Sequence, residues 1–198
     1  LLLNRKINTV EEAKNFLHSH HSQIHSPFLL HDMDKACSRI MKAIQNKEKI
    51  CIYGDYDVDG TAATSILYLF FQEIGFDVSY YIPNRLKEGY SLNKNALNHL
   101  KETGIDVIIT VDNGSMAFDT VDHANQLGID VIITDHHQVD EKLPNSFAMI
   151  NPQKKECSYP FKGISGAGVA FKLIMALRQN LRDSGFFKNN SEPNIKHY

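Results

Sequence analysis

Apolar positions along this chain follow two different periods. Ile50-Cys51-Ile52-Tyr53, Val107-Ile108-Ile109-Thr110-Val111 and Val131-Ile132-Ile133-Thr134 are nearly continuous short apolar runs, the pattern of strands covered on both faces in a parallel sheet. Elsewhere the period is helical. Met33, Ala36, Cys37, Ile40, Met41 and Ile44 fall on a single stripe, which predicts an amphipathic helix delivering the chain to the first strand. Residues 61–75 are apolar nearly all round and end on Gly75, which predicts a buried crossover helix with a glycine terminator. Further spacing predicts strands over 78–82 and 148–150 and helices over 93–101, 117–127 and 169–182.

Gly104-Ile105-Asp106-Val107-Ile108-Ile109-Thr110 recurs 24 residues later as Gly128-Ile129-Asp130-Val131-Ile132-Ile133-Thr134. A strand, helix, strand unit at that spacing implies parallel pairing. Near the start, Thr9-Val10-Glu11-Glu12 has the form of a capping box and opens a short helix carrying Ala13, Phe16 and Leu17. The expected fold class is α/β: a Rossmann-like, mostly parallel sheet flanked by helices, with a short N-terminal helical segment over 1–48 packing on a core over 49–198.

The chemistry lies where the strands end. The first runs into Gly54-Asp55-Tyr56-Asp57-Val58-Asp59-Gly60, the next into Asp112-Asn113-Gly114, the third into Asp135-His136-His137. In open α/β sheets ligands bind outside the carboxyl ends of parallel strands, so these groups should meet in one crevice. Any one of them alone reads as a turn or a helix cap. Together, five carboxylates and two imidazoles require a cation, and an oxygen-rich set with one or two nitrogens suits manganese or magnesium better than zinc. The D-x-D-x-D-G spacing also begins a calcium loop, but that loop needs glutamate at position twelve, where this chain has Ile66.

A cluster of this kind serves attack of water on phosphorus, with two divalent ions about 3.5–4 Å apart sharing a carboxylate. Asp112, from a middle strand, is the expected bridge; Asp55, Asp57 and Asp59 divide between the ions, and His136 completes one of them. The net charge of −2 is no obstacle to a polyanionic substrate. Setting the five site aspartates aside leaves 18 acidic against 21 basic residues, and bound cations would reverse the sign of the crevice. Cys37, Cys51 and Cys157 have no C-x-x-C spacing and read as free structural thiols. His18, His20, His21 and His25 lack acidic or thiol partners and read as solvated loop. No apolar run approaches the roughly 20 residues that cross a bilayer, and no signal core follows the start; a cytoplasmic protein without membrane contact is expected. The sequence starts on Leu1-Leu2-Leu3 and stops after Lys196-His197-Tyr198, which suggests a piece of a longer protein.

These motifs resemble the first three signatures of the DHH phosphoesterases, and within them the branch of single-strand-specific DNA exonucleases. Further similar phrases are Asn4-Arg5, Pro27-Phe28 to Asp32-Met33, Ile82-Pro83-Asn84-Arg85 with Glu88-Gly89-Tyr90, Asn151-Pro152, and Ser165-Gly166-Ala167-Gly168-Val169-Ala170-Phe171-Lys172. Members acting on small substrates usually carry His four residues before the position of Asp57; here it is Tyr53, which favours the exonuclease branch. The resemblance implies hydrolysis of single-stranded DNA from the 5′ end to 5′-mononucleotides, with two manganese or magnesium ions and a role in recombination and repair beside other repair proteins. It implies that His137 stabilises charged oxygens or orients a ligand, that Asp135 holds an imidazole from behind, and that Arg85, Tyr90, Gly166 and Gly168 contact nucleic acid. A fourth aspartate motif of the family has no match before the chain stops, so this piece by itself is expected to bind DNA weakly and cut poorly. The alternatives are a phosphatase of short oligonucleotides or nucleotide diesters and a non-catalytic DNA-binding scaffold.

Overall fold

The computed structural model describes residues 1–18, 23–89 and 91–198, with the side chains of Arg85 and Lys87 left aside. Five strands, β1 (Ile50–Tyr53), β2 (Ser79–Tyr81), β3 (Val107–Val111), β4 (Asp130–Thr134) and β5 (Ala148–Ile150), form one parallel sheet in the order β2-β1-β3-β4-β5. Side chains alternate across it as the strand period requires. Ile50, Ile52, Val107, Ile109, Val111, Ile132 and Ile150 face a core closed by α2 (Met33–Asn46), α3 (Val58–Glu73) and α7 (Gly166–Asp183). Cys51, Tyr53, Ile108, Val131, Ile133 and Met149 face a second core under α5 (Lys94–Glu102) and α6 (Phe118–Gln126). Both faces are covered by helices, which is why the strands lack polar alternation.

Several boundaries differ from expectation. β2 is three residues long because only Ser79, Tyr80 and Tyr81 pair with β1. A one-turn helix, α4 (Arg85–Glu88), stands between the predicted strand and helix, where the spacing predicts no element; it is started by Asn84 accepting from the Leu86 N–H. Helix α3 begins at Val58, ahead of Gly60, because Asp57 caps it by accepting from the Gly60 N–H. Helix α7 likewise begins at Gly166, capped by Ser165, which accepts from the Gly168 N–H. Gly75 ends α3 as expected: at φ 73° its N–H bonds to the Gln72 carbonyl and that of Phe76 to the Phe71 carbonyl, the paired Schellman bonds. Asp32 stands before α2 without capping it. Its carboxylate accepts from the Met149 N–H at 3.1 Å and from the buried Lys154 ammonium at 2.8 Å, tying the start of α2 to β5.

The chain segment before α2 is held differently. In α1 (Val10–Leu17) the Thr9 hydroxyl accepts from the Glu12 N–H, and Glu12 accepts from the Thr9 N–H. No residue of this helix is buried. Thr9→Ala should therefore cost about 1 kcal/mol in α1 alone: hydrogen exchange of its amides speeds up while the midpoint of global unfolding stays put. Of the histidine-rich stretch, His18 and His25 lie among the described residues and His20 and His21 outside them.

Candidate metal centre

Strand order reverses between β1 and β3: the chain leaves β1 for β2 on one side and returns to β3 on the other. A crevice at the carboxyl ends of such a pair is the usual ligand site of an open α/β sheet. Asp55, Asp57 and Asp59 follow β1, and Asp112 follows β3. The sheet ladder runs one residue beyond the strands to hold them. Gly54 N–H donates to the Tyr81 carbonyl, Asp112 N–H to Thr134 and Asp135 N–H to Ile150. Asp112 sits at φ 63°, a left-handed conformation that Asp and Asn tolerate better than most residues. Asn113 locks the turn by donating to the carbonyls of Tyr53 and Val111.

Two groups of possible ligands form there. One oxygen or ring nitrogen from each of Asp55, Asp57 and Asp112 lies within 4.8 Å of the others, and the same holds for Asp112, His136 and His137. Asp112 is common to both groups. It is 1% exposed, and its Oδ1 lies 3.0 Å from His136 Nε2. Burial, and then the charges of Asp59 and Asp57, push its carboxyl up to about 7. Burial raises Asp55 as well. Among the described residues no lysine or arginine is ion-paired with Asp55, Asp57 or Asp59. Carboxylates crowded around a buried member with its proton affinity raised suit hard divalent cations. The donor set therefore fits a pair of such ions meeting at Asp112.

Asp135 lies behind the histidines, buried. Its Oδ1 accepts from His137 Nδ1 and from the His136 N–H, both at 2.7 Å, and its Oδ2 accepts from the Ser115 N–H at 2.9 Å. Burial alone would raise this carboxyl; the bonds from His137 and Ser115 outweigh it and hold Asp135 below the usual carboxylate range. In return the Asp135 hydrogen bond pushes the His137 imidazole up to about 9. With Nδ1 committed to Asp135, ligation by His137 would run through Nε2. Asp135→Asn should bring the His137 pKa of the metal-free protein down from about 9 toward 6.5, read from its ring proton shifts in an NMR titration.

Other predicted positions fare differently. Gly166 and Gly168 do not offer amides to a phosphate: the Gly166 N–H donates to Asp59 Oδ2 at 2.7 Å, and the Gly168 N–H goes to Ser165 Oγ. Tyr90 lies outside the described residues, and of Arg85 the structure describes only the backbone, at the start of α4. Tyr53 turns away from the carboxylates into the α5 side of the core, stacked on Tyr81 and accepting from Asn93 Nδ2. Sequence reasoning missed Ser115 and gave Asn151 no role. Asn151 Nδ2 donates to Ser115 Oγ and to the His137 carbonyl, tying the end of β5 to the loop after β3 that carries Ser115 and to the loop after β4 that carries Asp135 and His137. The Asn-Pro turn after the last strand was the available signal. A cavity of about 570 Å³ opens beside His137 and Asp135, walled by Leu92, Met116, Phe118 and Thr120.

Residues 49–195 match the family described as DHH family, N-terminal domain. The chain belongs to the DHH family. Relatives of high similarity include the single-stranded-DNA-specific exonuclease RecJ of Bacillus subtilis, 45% identical over 183 residues, and that of Haemophilus influenzae, 38% identical over 171. These alignments cover 92% and 86% of this chain but only 23% and 30% of the two relatives. The chain thus spans less than a third of the length of the curated relatives it matches. A crystal structure of exonuclease RecJ bound to manganese superimposes with a TM-score of 0.70 and 30% identity, covering 83% of this chain and 40% of that one. A crystal structure of RecJ in complex with Mn2+ from Thermus thermophilus gives a TM-score of 0.71 at 25% identity over 97% of this chain and 25% of its own.

Proposed function

We propose that this chain carries most of the metal centre of a 5′-to-3′ exonuclease that hydrolyses single-stranded DNA to 5′-mononucleotides in recombination and repair. The observation that carries this reading is the buried Asp112 carboxylate shared by two ligand groups. Asp55 and Asp57 with Asp112 would hold one ion; Asp112 with His136 and His137 would hold the other, with Asp59 at 3.6 Å from His136 Nε2 beside it. Manganese or magnesium so held supplies water activation and neutralises charge on the phosphoryl group. The protein's own residues do the rest. Asp135 fixes the tautomer and tilt of His137 through Nδ1, and the β3 and β4 ladder bonds keep Asp112 and Asp135 from relaxing outward. The cavity beside His137 falls in the size range of small-ligand pockets and has room for a nucleoside next to the scissile phosphate. Arg85 and Tyr90, on the segment after β2, are assigned to the DNA backbone and a base.

No helix among the described residues is long and apolar enough to cross a membrane, and all three cysteines are free and buried. The free thiols support a reducing, cytoplasmic location. The test is a substrate comparison with the full-length protein in Mn2+. A long 5′-phosphorylated single strand should be degraded from its labelled 5′ end much faster than the duplex or a dinucleotide. Faster cleavage of the dinucleotide would instead make it a phosphatase of short oligonucleotides, and DNA binding without cleavage a scaffold.

A further inference from the structure

The first turn of α7 accounts for its three amide donors in an unusual way. The N–H of Gly168 is satisfied locally by the Ser165 hydroxyl at 3.1 Å. Those of Gly166 and Ala167 both go to one remote carboxylate: Asp59 Oδ2 accepts from Gly166 and Oδ1 from Ala167, each at 2.7 Å. These are short, charge-assisted bonds at the positive end of a helix of 18 residues, where a carboxylate is favoured. The same turn also presses on the shared ligand. A Cβ built on Gly166 would stand 2.4 Å from Asp112 Oδ1 and 2.7 Å from both its Cβ and Cγ. Backbone at residue 166 therefore touches Asp112 on one side while its amide holds Asp59. His136 Nε2 spans the same two carboxylates, at 3.0 Å from Asp112 and 3.6 Å from Asp59.

We propose that the Gly166-Ala167 pair at the start of α7 is a positioning element for the metal centre: its two amides hold both oxygens of Asp59, and the bare Cα of Gly166 sets the Asp59 to Asp112 spacing. Each carboxylate oxygen keeps a second lone pair for a cation, so amide bonding orients Asp59 without consuming it. The role resembles that of the groups behind metal ligands, whose loss typically weakens metal affinity 10- to 100-fold. This inference rests on the metal reading proposed above and adds to it which backbone groups make Asp59 competent.

Ala167→Pro isolates the effect. Proline within the first helical turn deletes an N–H that has no partner inside the helix, and glycine at 166 lessens the clash that proline imposes on the residue before it. Mn2+ binding is read from the electron paramagnetic resonance signal of free aquo-Mn2+ in titrations of the full-length protein. Ala167→Pro should weaken binding about 10-fold in the parent and not at all when Asp59 is already Asn. Ser165→Ala, which removes the local cap of the same helix, should lower the melting temperature and leave Mn2+ affinity unchanged. The inference is overturned if Ala167→Pro binds Mn2+ like the parent, if it loses the same factor in the Asp59→Asn background, or if Ser165→Ala weakens binding equally. A parent protein that binds no Mn2+ would overturn the metal reading and this inference together; normal parental binding with an unaffected Ala167→Pro variant overturns this one alone.

Discussion

Replacing Asp112 by Asn is expected to cut Mn2+-dependent hydrolysis by the full-length protein on the order of 10³-fold while leaving the metal-free protein at least as stable. The loss follows from position: Asp112 belongs to both ligand groups, so removing its charge disables both at once. Several kcal/mol of transition-state stabilisation hang on such ions, and about 4 kcal/mol is a factor near 10³. Asn suits the φ of 63° as well as Asp does, so the turn survives. Stability moves the other way because the buried carboxyl is raised to about 7. A carboxyl whose pKa is higher folded than unfolded retains its proton longer in the native state, so stability falls as pH rises from 3.8 to about 7. Without metal, chemical denaturation across that range should show this slope in the parent and a flatter profile in Asp112→Asn. The His137 and Asp135 pair adds a separate loss at higher pH. His137, raised to about 9, contributes its stability fully below 6.5 and surrenders it through 9. Equal activity of parent and variant would remove Asp112 from the site.

Gly60→Ala should destabilise the protein by about 2–3 kcal/mol and impair hydrolysis even where folding is retained. A Cβ at this position would lie 2.5 Å from the Cβ of Asp55, 2.7 Å from its carbonyl oxygen and 2.8 Å from its carbonyl carbon. Two of those are backbone atoms and cannot swing aside. Relief must come from moving the start of α3 away from the β1 loop, which displaces Asp55, Asp57 and Asp59 together, and displacements near 1 Å at a catalytic centre cost about 10²-fold. Urea unfolding and Mn2+ titration would check the two parts. Gly60 is not among the residues of positive φ, so the requirement is for close approach, not for a left-handed turn. An alanine variant with parental stability and metal affinity would show that the loop has slack the packing does not suggest.

Gly60 also marks where the sequence became hard to read. As the sixth residue of D-x-D-x-D-G it looked like turn chemistry, and α3 was expected to begin after it. In the structure Asp57 caps that helix and Asp59 stands in its first turn, so the three aspartates are divided among a loop, a cap and a helix face. Gly166 misled in a similar way. Glycines at a helix start suggest amides open to phosphate, but the partner was a carboxylate 107 residues away, a distance that local patterns cannot register. Helix α4, which opens on Arg85, left no mark in the pattern because four residues make too short a stretch for the helical period to show.

The sequence alone determined the parallel α/β layering, the five strands, most helix spans and the gathering of acids and imidazoles at strand ends. These follow from local physics: a strand covered on both faces must be largely apolar, an amphipathic helix must repeat its apolar stripe, and charged groups are left to the ends of such strands. Only the tertiary structure decided that β1 and β3 flank the reversal of strand order, which aspartates and histidines group with the expected bridge Asp112 on each side, and that α7 holds Asp59. Those outcomes depend on contacts between residues tens to a hundred positions apart, made by packing two helical layers onto one sheet. No periodicity encodes them.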